Sequence, residues 1–222
     1  MDTLQATLVV TAAWVAPWQT IWGAPVSALE AVAFVLGLWM VWGNFHVKVW
    51  AWPLAFISSA MYGLLFVHAK LYGEAGLQVL FMVMALWGGW QWLYGTLGHL
   101  ETPNSGSAAE RLHVRHMSVR GRWVAVAAVA VLWPLLGLLL DHLTDSDVPY
   151  WDALPTAGSV IGQYLLGRQW VENWPCWLLV NLVSVGLFAY KGLWLTVVLY
   201  ALFAGLSVWG WRQWHLMVPA RR

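Results

Sequence analysis

Residues Trp174–Trp214 read WPCWLLVNLVSVGLFAYKGLWLTVVLYALFAGLSVWGWRQW. Slid along its own chain by 122 residues, this stretch falls without a gap on Trp52–Trp92, WPLAFISSAMYGLLFVHAKLYGEAGLQVLFMVMALWGGWQW. Trp52/Trp174, Pro53/Pro175, Phe66/Phe188, Trp87/Trp209, Gly88/Gly210, Gln91/Gln213 and Trp92/Trp214 coincide, and upstream Glu30 falls on Asp152. Apolar segments match by chance, but a shared Trp-Pro start and a shared Trp-Gly…Gln-Trp end mark an internal repeat, which sets the architecture.

The medium in which the repeat folds follows from composition. The 222 residues are 61% hydrophobic and 9% charged, against about 25% charged in an ordinary soluble domain. The chain is therefore an integral membrane protein. Seven uncharged or nearly uncharged runs suffice to cross hydrocarbon: Ala31–Phe45, Val49–Val67, Ala75–Leu97, Trp123–Leu140, Ala153–Gly167, Asn173–Tyr190 and Leu193–Trp211. The uncharged N-terminal segment is broken by Pro17 and Pro25 and dotted with Gln5, Thr7, Thr11, Gln19 and Thr20, so an interfacial helix over Leu4–Trp22 is favoured over an eighth span. It lacks the charged start of a cleaved signal peptide. The twenty tryptophans exceed what two interfacial belts need, so some should face something other than headgroups.

Basic residues in short loops orient the spans. With Arg111, Arg115, Arg120 and Arg122 in the cytoplasm, Lys48, Arg168, Arg212, Arg221 and Arg222 follow, leaving Lys70 and Lys191 outside. The N-terminus is then external and the C-terminus cytoplasmic. Three spans repeated directly would come out inverted, and a fourth span between them restores parity. The expected fold is an all-α membrane protein with seven transmembrane helices as two parallel three-helix repeats joined by a linker helix (3+1+3). Its parts are an N-terminal segment 1–29, a first repeat 30–97, a basic cytoplasmic linker 98–122, the linker helix 123–140, a second repeat 152–214 and a tail 215–222. In parallel-repeat transporters the substrate sits near the midplane between the halves.

No Asp, Glu, Lys, Arg or His lies near the middle of any span, which argues against ion-coupled pumping. The seven histidines fall in loops or at span ends, and Cys176 has no cysteine partner for a disulfide or a metal. No catalytic motif, resident cofactor, metal centre or nucleic-acid-binding patch is evident. The polar groups at depth are neutral. Trp177, Asn181, Ser184 and Phe188 are spaced i, i+4, i+7 and i+11 and share one helix face. Thr156, Ser159 and Gln163 line the fifth span, and Gln78 and Tyr200 occupy matching positions of the two repeats. Asn181 has two readings, glue between helices and ligand contact; its repeat counterpart is only Ser59, and symmetric glue would more naturally repeat itself. Ser58, Ser59 and Ser207 read as close-packing residues, Cys176 as filler, and the Trp-Gly…Gln-Trp ends chiefly as interfacial anchors. Aromatic faces beside amides suit a flat heterocycle bearing hydroxyls.

WGAPVSALEAVAFVLGLWMVW from Trp22, WAWPLAFISSAMYGLLF from Trp50, LYGEAGLQVLFMVMALWGGWQW from Leu71, the run from Trp151 to Thr196 and LYALFAGLSVWGWRQW resemble the PnuC-type vitamin transporters. The resemblance covers most of Gly23–Trp214 and is weak over the linker and the fourth span. It implies a bacterial inner-membrane relative of the SWEET transporters that carries nicotinamide riboside by facilitated diffusion. A cytoplasmic kinase, with no contact required, traps the product by phosphorylation. Thiamin and riboflavin carriers are sister possibilities, and a homo-oligomer is compatible. By segment and chemistry the resemblance points to Gln78, Gln163, Trp177, Asn181 and Ser184 as substrate contacts. A membrane haem or redox protein is the competing class, resting on tryptophan richness and span-end histidines; a Soret band would distinguish it.

Overall fold

The computed structural model describes residues 14, 17–21, 24–68, 72–97, 114–144, 148–190 and 194–218. Among them lie seven long helices: α1 Ala28–Phe45, α2 Ala51–His68, α3 Tyr72–Leu97, α4 Val119–Leu143, α5 Pro149–Gly167, α6 Asn173–Tyr190 and α7 Trp194–Met217. Each coincides with one of the seven expected spans. By length and composition α1, α4 and α6 are apolar enough to cross a membrane, and α2 carries the apolar run Ala51–Leu65. Of α4 only Gly137 is buried, while Val124, Val131, Leu135 and Leu139 stand exposed, as suits a helix surrounded by hydrocarbon.

The N-terminal segment departs from expectation. Pro17–Ile21 is a strand paired antiparallel with a second strand, Ala24–Ser27, so the C-terminal part of the interfacial helix expected over Leu4–Trp22 is not helical. Pro17 and Pro25 account for this: proline lacks an N–H and turns the residue before it away from helical angles. The first thirteen residues of that segment lie outside the described residues, as do 98–113 of the basic linker and 219–222 of the tail.

Helix starts follow local chemistry. Ser27 caps α1 by accepting the Glu30 N–H at 3.1 Å, and Ser118 caps α4 by accepting the Gly121 N–H at 3.1 Å. Pro53 and Pro175 are the third residues of α2 and α6, within the first turn, where a missing N–H breaks no helical bond. That is the physical basis of the repeated Trp-Pro.

Element boundaries recur at the same offset as the sequence. α2 and α6 each hold 18 residues and start and end 122 residues apart, α3 and α7 start 122 apart, and α1 and α5 end 122 apart. The turns from α1 to α2 and from α5 to α6 share four backbone hydrogen bonds at that offset, differing at His46, which donates to Gly43 O, and Arg168, which donates to Tyr164 O. Lys48 N donates to Gly43 O at 2.9 Å and Trp170 N to Leu165 O at 3.1 Å; Val47 N donates to Asn44 O and Gln169 N to Leu166 O; Ala51 N donates to Lys48 O and Asn173 N to Trp170 O.

The chain forms two compact units that divide within α3, between Leu86 and Trp87. In the first, α1 packs on α2, with the Ser58 hydroxyl donating to Ala33 O at 3.0 Å. In the second, each of α4 to α7 packs on the next. Trp133 of α4 donates its indole N–H to Tyr150 O at 2.6 Å, and the Tyr150 ring fills the space a Cβ at Gly137 would need. α4 is thus fitted to α5.

Candidate transport site

The second unit gathers most of the neutral polar groups expected to bind. α5 and α6 meet over Gly158 and Gly162, four residues apart and so on one face of α5. A Cβ at Gly158 would lie 2.5 Å from Val180 Cγ2, and one at Gly162 would lie 3.2 Å from the Trp177 indole and 3.5 Å from Cys176 Sγ. Cys176 Sγ in turn donates to Gly158 O at 3.4 Å. The small-xxx-small spacing lets two backbones approach in a membrane and is legible in GSVIG, Gly158–Gly162. Trp177 is therefore laid on α5 at Gly162, which follows the buried Ser159 by three residues and precedes the buried Gln163.

Further along the same face of α6 the partner is α7. Asn181 Nδ2 donates to Ser207 Oγ at 3.2 Å, and that hydroxyl donates to Phe203 O at 2.8 Å. Phe188 stacks on Tyr200 with ring centroids 5.1 Å apart and planes at 28°. The one face read from i, i+4, i+7 and i+11 is thus shared: Trp177 goes to α5, while Asn181 and Phe188 go to α7. Asn181 and Ser184 are both buried. Thr156 donates to Asp152 O of its own helix at 3.2 Å, the usual back-bond of a hydroxyl in a helix. Gln78 lies in the first unit, where its Cβ packs over Gly63 of α2. Ser207, read from sequence as a packing residue, is the hydrogen-bond partner of Asn181. Its signal was available: the repeat leaves Asn181 with a larger amide than its counterpart Ser59, and such an amide needs a partner from another helix.

The Trp-Gly…Gln-Trp ends are corrected by the structure. Among the described residues Trp92 and Trp214 are the two largest fully buried side chains, at 1% and 0% exposure, and cannot anchor in headgroups. Their rings lie 6.4 Å apart, Trp174 meets Trp214 edge-on at 5.5 Å, and the Trp92 indole N–H donates to Gly167 O at 3.1 Å. The close glycines make this possible, since a Cβ at Gly210 would lie 2.5 Å from the Trp174 ring. Trp87 stacks on Tyr164 with centroids 5.4 Å apart. Trp209, by contrast, remains 46% exposed, consistent with an outward role. Part of the tryptophan excess is accounted for: these rings are interior struts.

A chain of this fold and interior can hold a flat, uncharged or singly charged solute by stacking and amide hydrogen bonds.

Known proteins agree with that description. The family described as nicotinamide mononucleotide transporter matches residues 27–216. The riboflavin/roseoflavin transporter RibM of Streptomyces davaonensis is 32% identical over 189 residues, 84% of either chain. The nicotinamide riboside transporter PnuC of Escherichia coli K12 is 25% identical over 216 residues, covering 86% of this chain and 87% of its own. The crystal structure of the vitamin B3 transporter PnuC superposes with a TM-score of 0.68 at 25% identity, over 86% of this chain and 81% of that one. These relatives are transporters, not enzymes. With a seven-helix apolar fold, a neutral polar interior and a family match over nearly its whole length, the chain belongs to the PnuC family of multi-pass membrane transporters.

Proposed function

We propose that this protein carries nicotinamide riboside across the bacterial inner membrane by facilitated diffusion, as a uniporter whose product is trapped in the cytoplasm by phosphorylation. The observation that carries the reading is the family match over residues 27–216 together with PnuC relatives covering most of both chains. The chemistry supports it. A pyridinium suits the faces of Trp177, Phe188 and Tyr200, and a ribose suits the amides and hydroxyls of Asn181, Gln163, Gln78, Ser184, Ser159 and Thr156. Uniport is supported by the absence of ionisable residues near the middle of the spans, since coupling to an ion gradient needs a site whose charge changes at depth. The recurrence of helix boundaries and turn bonds at one offset supports two parallel three-helix repeats joined by α4. The distribution of Lys and Arg supports an external N-terminus and a cytoplasmic C-terminus.

A second substrate is favoured by a specific observation: RibM, a riboflavin/roseoflavin transporter, is 32% identical. An isoalloxazine and a ribityl chain pose the same demands, a wide aromatic face and neutral hydrogen bonders. Proteoliposomes enclosing ATP with either a nicotinamide riboside kinase or a riboflavin kinase separate the two. Accumulation of labelled nicotinamide mononucleotide supports the first reading, and accumulation of flavin mononucleotide with none of the former replaces it by the second. Uptake of either vitamin no faster than in protein-free liposomes would sink both.

A further inference from the structure

Two arginines stand at the turn between α5 and α6, and among the described residues no acid pairs with either. Arg115 is fixed to this turn through its backbone: its N–H donates to Gln169 O at 3.2 Å and its carbonyl accepts from Val171 N at 3.0 Å, a parallel bridge opposite Trp170. Its guanidinium carbon lies 6.0 Å from the centroid of the Trp170 ring. Arg168, the C-cap of α5, places its own 5.5 Å from the same centroid. The two charges are thus gathered about one indole and can be no more than about 11.5 Å apart.

Among the described residues the carboxylate on this turn, Glu172, is already committed. Glu172 Oε1 accepts from Arg122 Nη2 at 2.8 Å and from His116 Nδ1 at 3.2 Å, and its Oε2 accepts the Met117 N–H at 2.9 Å. Among the described residues neither Arg115 nor Arg168 has an ion pair, and the Arg168 Nε–H is buried without an acceptor. A buried guanidinium donor left unpaired is costly and calls for an anion from outside the chain. The backbone cannot hold that anion, because the C-terminal end of α5 carries partial negative charge. The side chains must do so.

We propose that Arg115 and Arg168, held on Trp170, form a binding site for a phosphate ester. Guanidinium forks match the tetrahedral oxygens of a phosphate and can share one between them. Two sources supply this chemistry. Basic pockets beside transmembrane helices take anionic lipid headgroups, and a soluble phosphomonoester offers the same oxygens. The site lies wholly within the second unit and is independent of which vitamin is carried.

The test uses the full chain in uncharged detergent at constant ionic strength. Thermal stability is titrated with phosphatidylglycerol, with phosphatidylcholine, with inorganic phosphate and with glycerol 3-phosphate, for the natural chain and for Arg115→Gln, Arg168→Gln and Arg120→Gln. Phosphatidylglycerol or the soluble phosphates stabilise the natural chain, and the apparent affinity falls about tenfold in Arg115→Gln and Arg168→Gln, the equivalent of one lost charge-assisted hydrogen bond. It stays unchanged in Arg120→Gln. A response confined to phosphatidylglycerol assigns the site to lipid, and a response to glycerol 3-phosphate without lipid preference assigns it to a soluble ester. Equal weakening in Arg120→Gln, or no phosphate-bearing compound outperforming phosphatidylcholine, overturns the proposal. Should Arg168→Gln fail to fold, Arg115→Gln decides alone, because its side chain is exposed.

Discussion

Val47 and Gln169 stand 122 residues apart and share one unusual conformation, with φ of 52° and 55°; among the described residues no other non-glycine side chain has positive φ. They occupy the same place in two turns that share four backbone hydrogen bonds at the same offset. Left-handed backbone costs roughly 1–2 kcal/mol for a residue with a Cβ, most for a β-branched one. The turn is kept twice because each copy brings the next helix back with a first-turn Trp-Pro, Trp52-Pro53 and Trp174-Pro175.

Relief of that strain is measurable. Val47 is only half-buried, so Val47→Gly is expected to raise unfolding stability by up to about 1 kcal/mol, the relieved strain less the added freedom of the unfolded chain. Gln169 is fully buried, so Gln169→Gly loses packing as well and is expected to be neutral or destabilising. Thermal unfolding of both variants in detergent checks the sign, and a destabilised Val47→Gly would refute the strain account.

The Gly158 and Gly162 crossing makes a paired prediction. Gly158→Ala drives a methyl into Val180 and is expected to destabilise by about 1–3 kcal/mol, the usual cost of overpacking. Val180→Ala combined with it should restore part of that loss, as a coupling term in a double-mutant cycle. Gly162→Ala meets the Trp177 ring more gently, at 3.2 Å, and should displace that ring and weaken vitamin binding more than it lowers stability.

Asn181 and Ser207 separate glue from ligand contact. Ser207→Ala removes the interhelical bond and leaves the amide in place; a loss of about 0.6 kcal/mol in stability is expected, the average for such bonds in membranes. Asn181→Leu removes the same bond and the amide too. Binding weakened by about 1–3 kcal/mol in Asn181→Leu but not in Ser207→Ala identifies the amide as a substrate partner. Equal, small effects of both on stability with intact affinity would leave it as glue alone.

Trp92→Phe keeps an aromatic ring and deletes the donor to Gly167 O. The expected cost is about 0.5–1.5 kcal/mol, whereas Trp214→Ala, which empties the centre of the same cluster, should cost about 3–5 kcal/mol. If Trp92 were an interfacial anchor, Trp92→Phe would be neutral in detergent and would alter only membrane insertion. Denaturant unfolding in detergent distinguishes these outcomes.

Much of this protein was legible before any coordinate. Helix positions, their number and the repeat follow from uncharged length, Trp-Pro starts and self-similarity, because a membrane leaves the backbone few alternatives to the helix. The GSVIG crossing is equally a local pattern. Side-chain partners are not, for they depend on which helices face each other. Sequence placed Trp177, Asn181 and Phe188 on one face, but only packing sent the first to Gly162 on α5 and the others to Ser207 and Tyr200 on α7. The Trp-Gly…Gln-Trp ends read from sequence as interfacial anchors, yet burial of Trp92 and Trp214 required Gly210 to admit the Trp174 ring and Gly167 to present a carbonyl to Trp92. The strand at Pro17–Ile21 shows the same limit on a smaller scale: proline stops a helix, but what the chain does next is set by the segment it meets, Ala24–Ser27. Hydropathy and periodicity are properties of one segment, whereas hydrogen bonds and ring contacts between segments arise only when two of them are brought within a few ångströms.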